Sequence, residues 1–327
     1  MTELALSEYQ AVRQEAGVVD LSGRGKIKVT GADHVDFMHV MISNEVRRLA
    51  DFQGRRGALL TPTGKLIADF FYYRFPDHIL VDVDGPLIAP LVSTLEKHII
   101  MDDVAIADVR SEWTHLAVEG PKASAIVSEV FGVDAPTDLY EMRALTREGK
   151  SGWLIRKNRL SSDGVELLLT SELGAWIRER LRDLPVIGEE AQKILRMERG
   201  LPLFGVDFDQ SNNPIEAGLS DAISLDKGCY TGQEVISKAT YVGGVSRRLV
   251  RLLLPPAAAA AAGSEVLSDD GKKIGYVTSS AVSPHLGRAI AFAYVKREWA
   301  EPGKALVVID ADGTRMAAEV WASTSVE

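Results

Sequence analysis

The 327-residue sequence predicts an α+β fold closed by a small β-rich domain, on three observations. Short strand patterns joined by tight turns alternate with helical patterns of about two to four turns, which suits mixed α+β units better than a doubly wound parallel sheet. From Ser246 onward the helical period gives way to short β-rich runs separated by Gly, Pro, Asp or Ser, as in a small β-barrel or sandwich. The length fits two or three domains, at roughly 100–200 residues each.

Along the chain, Leu6–Ala16 carries apolar residues at amphipathic-helix spacing and stops at Gly17. Gly25–Thr30 (GKIKVT) alternates as a half-buried strand does. Residues 31–49 read as one helix, with Val35, Met38, Ile42 and Val46 on a stripe. Ala58–Tyr73 reads as two strands around the turn Pro62-Thr63-Gly64, where Pro and Gly suit the backbone required. Further strands are expected at His78–Val83, Trp113–Val118, Trp153–Arg156 and Val165–Thr170, with helices at Pro86–Lys97, Pro121–Val130, Leu173–Leu181 and up to Gly200. The closing domain offers strands at Arg248–Leu254, Lys273–Ser279, Arg288–Val295, Ala305–Val308 and Met316–Trp321. Pro255-Pro256, six alanines and Gly263 read as a low-complexity loop. A boundary near Gly244 divides residues 1–244, a body of two subdomains, from residues 245–327.

Composition excludes several classes. With 46% hydrophobic and 25% charged residues the chain is an ordinary globular one. Its net charge of −9, without a Lys/Arg block, gives no footprint for direct nucleic-acid binding. The single cysteine, Cys229, permits no intrachain disulfide and cannot supply four cluster thiolates. The N-terminus lacks a signal-peptide pattern, and no apolar run reaches the ~20 residues of a membrane span. A cytoplasmic protein without membrane contact is expected. The six histidines form no HxxxH or HExxH pair, so no metal site is expected, and phosphate-loop, dinucleotide and GxSxG motifs are missing.

Chemistry has few other places to sit. Leu225–Glu234 (LDKGCYTGQE) surrounds the only thiol with two glycines, Lys227 and polar residues. A nearby ammonium would activate Cys229, whereas the bland reading is a buried cysteine serving as a small hydrophobe. Asp69 lies on a strand with apolar residues on both faces, so it is desolvated unless donors reach it, and it could meet the N–H groups of a flat heterocycle. Glu166 poses the same question on its own strand. Arg196 and Arg199 flank the polar side of a helix ending at Gly200, either stabilising the helix dipole or gripping a carboxylate.

The order of Asp20-Leu21-Ser22, Gly64–Asp69 (GKLIAD), Val118–Pro121 (VEGP), Leu195–Gly205 and Asn213–Leu219 (NPIEAGL) resembles the aminomethyltransferase (glycine-cleavage T-protein, GcvT-like) superfamily over nearly the whole chain. Lys227–Glu234 (KGCYTGQE) is similar to the signature of its YgfZ-type branch of tetrahydrofolate-binding proteins. The resemblance implies a folate-binding body of ferredoxin-like α+β units around a central channel, plus a small C-terminal β-barrel. It places Asp69 at the reacting end of a tetrahydrofolate, Glu166 near the pteridine and Arg196 at the glutamyl carboxylate. Cys229, with Lys227, becomes a nucleophile or transient cluster ligand. T-proteins carry GYTGE before the second acid, where this chain has Arg159-Leu160-Ser161-Ser162, so one acid and the glycine turn are missing. The function implied is support of iron–sulfur protein assembly or repair and, indirectly, of tRNA modification, with iron–sulfur enzymes or assembly proteins as partners. The alternatives are a folate-dependent aminomethyl- or methyltransferase and a structural adaptor with a vestigial pocket.

Overall fold

The computed structural model describes residues 1–241, 244–256 and 258–323. Three sheets organise them. The first orders its strands Gly54–Leu60, Leu66–Arg74, Ile79–Val83, Gly25–Thr30 and Ala105–Asp108, all pairs antiparallel. The second orders Gly17–Asp20, Trp113–Glu119, Val165–Thr170, Lys150–Arg156 and Met142–Arg147, again antiparallel. The third is a closed six-stranded barrel made by Arg247–Leu254, Glu265–Leu267, Lys273–Ser283, Arg288–Lys296, Ala305–Ile309 and Arg315–Ser323. The α+β class and the barrel are therefore as the sequence predicts, and closure rather than a sandwich removes the free edges.

Strand alternation separates core from site. On Leu66–Arg74, the side chains of Ala68, Phe70 and Tyr72 enter an apolar core with Ile27, Val29, Val81 and the helices His34–Met41 and Ile88–Glu96. The opposite face turns inward, and there Tyr73, Phe75 and Leu80 pack on Met142, Ile155 and Leu168 of the second sheet. The two body sheets thus face each other, each with helices on its outer side. Helix Glu189–Glu198 lies against helix Glu3–Gln14 and sends Met197 into a cluster with Leu249, Phe292 and Tyr294 of the barrel.

Some elements differ from expectation for identifiable reasons. The helix expected over residues 31–49 spans only His34–Met41, because Ile42 turns extended (φ −105°, ψ 160°) and bridges to Leu59. Its stripe is still buried at Met38, Ile42 and Val46, but sheet contacts hold the last two. The strand Trp153–Arg156 is the end of a hairpin from Met142, turned by Glu148 and Gly149, both at positive φ. Gln233–Tyr241, for which the sequence predicts no element, is a helix that begins at the end of the Leu225–Glu234 segment. No helix is long and apolar enough to cross a membrane among the described residues. Pro255, Pro256 and Ala258–Gly263 form no helix or strand, and Ala257 lies outside the described residues.

Candidate functional site

A cavity of about 280 Å³ opens between the inner faces of the body sheets. Asp69 and Phe71 form part of one wall, Lys157, Asn158 and Arg159 another, and the loop from Arg199 to Phe204 closes it. Leu201–Leu203 and Arg159 also line a second cavity, of about 830 Å³, bounded by helix Glu189–Glu198 and the barrel residues Thr278–Ser280. The two share one wall.

Asp69 reaches the cavity because the strand period places it on the inner face with Ile67 and Phe71. Its carboxylate takes a hydrogen bond from Arg56 at 2.7 Å, and Arg56 in turn lies 3.5 Å from Asp221. Aromatic faces flank this pair: the Phe71 and Tyr140 ring centres are 5.3 Å apart, and Phe204 also lines the cavity. The Lys157 ammonium sits 3.6 Å from the Phe71 ring centre, a close cation–π contact.

Behind this wall lies a buried charge network. Asp82 accepts from Arg24 at 2.8 Å, Lys26 at 3.1 Å and Lys157 at 3.0 Å. Glu166 accepts from Arg159 at 2.9 Å and His115 at 3.0 Å, and is ion-paired with Lys157 at 3.1 Å. Burial pushes both carboxyls up, but Arg24, Lys26 and Lys157 around Asp82, and Lys157, Arg159 and His115 around Glu166, hold both well below the carboxylate range. His115, desolvated and beside Lys26, is lowered to about 4 and so is neutral at pH 7. Desolvation raises Glu119 to about 7 despite two hydrogen bonds from Ser161.

The structure separates the residues singled out in the sequence. Asp69 lines the cavity. Glu166 does not: its carboxylate is fully buried and its acceptors are taken by three side chains, so it positions Lys157 and Arg159 rather than touching a ring itself. Arg196 also falls outside the Asp69 cavity. Its guanidinium donates to Asp207 at 2.7 Å and to the Leu201 carbonyl at 3.0 Å, because Asp207 is buried between the helix and the barrel. Lys227 is buried too, and its ammonium donates to the carbonyls of His39, Ile42 (2.6 Å) and Asn44 (3.3 Å), which the unwound end of helix His34–Met41 leaves unpaired. It is thus a cap, with burial lowering it to about 8. Cys229 is exposed on the turn before helix Gln233–Tyr241 and lines neither cavity.

Arg56, Tyr140, Lys157, Asn158 and Arg159 were not found from sequence. Only Arg56 left a signal, as one of two adjacent cations, Arg55 and Arg56, on a strand of otherwise small and apolar residues. Asp82, His115 and Glu166 offer ligand atoms within 4.8 Å of one another, an arrangement that histidine spacing does not reveal. Arg24, Lys26, Lys157 and Arg159 crowd that set, and their charge opposes a metal ion there.

Comparison with known proteins yields a consistent picture. Residues 1–227 match the model of the GCVT N-terminal domain, and residues 247–326 that of the glycine cleavage T-protein C-terminal barrel domain. The chain is 32% identical over 313 residues to an aminomethyltransferase of Nostoc sp., covering 92% of this chain and 82% of the relative. It is also 32% identical over 309 residues to an aminomethyltransferase of Staphylococcus haemolyticus, covering 92% and 84%. In fold it is similar to the crystal structure of the glycine cleavage system aminomethyltransferase T from Bartonella henselae, with a TM-score of 0.88, 23% identity, and coverage of 97% of this chain and 88% of that one.

Proposed function

The chain belongs to the glycine-cleavage T-protein family of aminomethyltransferases, and from that premise we propose that it is a folate-dependent aminomethyl- or methyltransferase acting in the cavity that Asp69 lines. The observation that carries this reading is a carboxylate among ring faces, Asp69 beside Phe71 and Tyr140, in a cleft between two domains' worth of sheet. That environment suits a flat heterocycle with N–H donors. Tetrahydrofolate supplies the reduced ring nitrogen on which a one-carbon unit is carried. The Asp69 carboxylate, ion-paired to Arg56, accepts hydrogen bonds and does not donate them, so its part is to orient the ring and to stabilise positive charge developing beside it. Phe71 and Tyr140 exclude water from one side, and Lys157, held by Asp82 and Glu166, keeps the Phe71 ring in place.

A second reading has its own observation. Cys229 is exposed in KGCYTGQE on a turn pinned by the Lys227 cap. That favours a YgfZ-type role, in which the folate site serves a thiol-dependent contact with iron–sulfur proteins undergoing assembly or repair.

Anaerobic titration with tetrahydrofolate, comparing the parent with Asp69→Asn and Cys229→Ser, tests both. Binding that weakens at least tenfold in Asp69→Asn and persists in Cys229→Ser is expected. A parent that binds no tetrahydrofolate rejects the pocket and leaves the adaptor reading in front. Turnover lost in Asp69→Asn but kept in Cys229→Ser favours the transferase; the thiol-dependent role requires Cys229→Ser to abolish reactivation of an iron–sulfur enzyme.

A further inference from the structure

A further cavity, of about 740 Å³, lies on the barrel and shares no lining residue with the two described above. Strand register builds it. Val250, Val277, Ala293 and Val295 fill the barrel core, so the strand period turns Tyr294 and Lys296 outward, together with their cross-strand partners Tyr276 and Arg247. Arg247 and Lys296 are therefore like charges set directly opposite each other, an arrangement that disfavours the fold. Arg297, next along the chain, lies so close to Gly244 that a Cβ there would meet its guanidinium at 2.1 Å. Little in the chain balances the opposed pair. Arg247 reaches Glu216 only at 3.8 Å and the Tyr276 hydroxyl at 3.4 Å, and Glu216 is shared with Lys65, also at 3.8 Å. Lys296 makes no ion pair or hydrogen bond among the described residues. Tyr294, packed against Met197 of the body, is 2% exposed, and its hydroxyl has no hydrogen-bond partner among the described residues. Buried hydroxyls are normally satisfied, so this one marks the place of an acceptor.

We propose that Arg247, Lys296, Arg297 and Tyr294 form a binding site for the phosphate group of a small organic phosphate. Three cations line the cavity against a single carboxylate among the described lining residues, Glu298. That excess is more than a monoanion needs and matches a phosphate monoester, which carries about −1.5 to −2 charge at pH 7. The planar fork of Arg247 offers a phosphate two N–H bonds, Lys296 adds a point charge, and the Tyr294 hydroxyl donates to a further oxygen. Phosphate bound there also cancels the repulsion between the opposed cations. The cavity is larger than the anion alone, and the half-buried Tyr276 ring on its wall gives the organic part an apolar contact. The site depends on neither the folate nor the thiol reading.

The test is calorimetric titration of the full chain in phosphate-free buffer, parent against Lys296→Gln, Lys296→Arg and Tyr294→Phe, with phenyl phosphate, inorganic phosphate and benzoate. The Lys296 ammonium and the Tyr294 hydroxyl have no partner to lose, so these variants should fold as the parent does. Saturable binding of phenyl phosphate is expected, tighter than that of inorganic phosphate, with benzoate at least tenfold weaker. Lys296→Gln should weaken phenyl phosphate at least tenfold and Tyr294→Phe at least threefold, with Lys296→Arg restoring most of the loss. The ligand-free Lys296→Gln protein should unfold at a urea midpoint no lower than the parent's, because the substitution removes one of two opposed charges. A parent that binds no phenyl phosphate, benzoate bound as tightly, or variants that bind like the parent would each refute the site. A lowered midpoint for Lys296→Gln would make the lysine a structural residue and overturn the proposal as well. Inorganic phosphate bound as tightly as phenyl phosphate would overturn the organic part of the assignment.

Discussion

Glu119 and His115 sit on one strand, and burial favours the neutral form of each, raising the acid and lowering the imidazole. The Glu119 carboxyl, raised to about 7 by burial against 4.5 when exposed, holds a proton in the folded chain that the unfolded chain has released. Its contribution to stability is full below about pH 4.5 and is lost as pH rises through about 7. Glu119→Gln should remove that loss. Urea unfolding at successive pH values is expected to show the variant gaining on the parent between pH 5 and 8; a constant gap would contradict the raised carboxyl. His115, lowered to about 4 by burial and Lys26, has the reverse sign: its contribution is full above pH 6.5 and is lost as pH falls through about 4. Between about pH 4.5 and 6.5 the two slopes therefore oppose each other.

At the scale of elements, the signature Lys227–Glu234 braces two others. Lys227 caps the end of helix His34–Met41, and Gly232, at φ +82°, lies against the Thr61–Gly64 turn so closely that a Cβ there would meet the Thr61 carbonyl oxygen at 2.7 Å. A glycine is required on both counts, positive φ and space. Lys227→Met removes the donor to the His39, Ile42 and Asn44 carbonyls and should cost on the order of 3 kcal/mol, read as a drop in the urea midpoint. Cys229→Ser, at an exposed position, should leave that midpoint within about 0.5 kcal/mol of the parent. If Lys227→Met is equally silent, the ammonium is not a cap. The sequence raised Lys227 as a partner for the thiol because the two are neighbours along the chain. The carbonyls it actually meets are more than 180 positions away.

Across the whole molecule, Asp207 joins body and barrel. It is 1% exposed and accepts from Arg196 at 2.7 Å, from the Leu203 amide at 3.0 Å, and from the hydroxyls of Thr278 at 2.9 Å and Ser279 at 2.5 Å. Asp207→Asn leaves the Arg196 charge without its counter-ion and should cost roughly 3 kcal/mol. Because it sits at the joint, the loss should also split calorimetric unfolding into separate barrel and body transitions; one unchanged transition would refute that role. From sequence, the α+β class, the β-rich closing domain and the sharing of one strand face by Asp69 and Phe71 were legible, since each follows from a period of two along a strand and from local turn chemistry, whereas which face turns toward the cavity was not. Tertiary structure alone decided that Glu166 is sealed by Lys157, Arg159 and His115, that Arg196 serves Asp207, and that Arg159 and Arg199 keep free donors at the cavity. The physical reason is that local period tells which way a side chain points. An ion pair depends on which distant group shares its low-dielectric surroundings, and that is settled only when the two sheets and the barrel close around them.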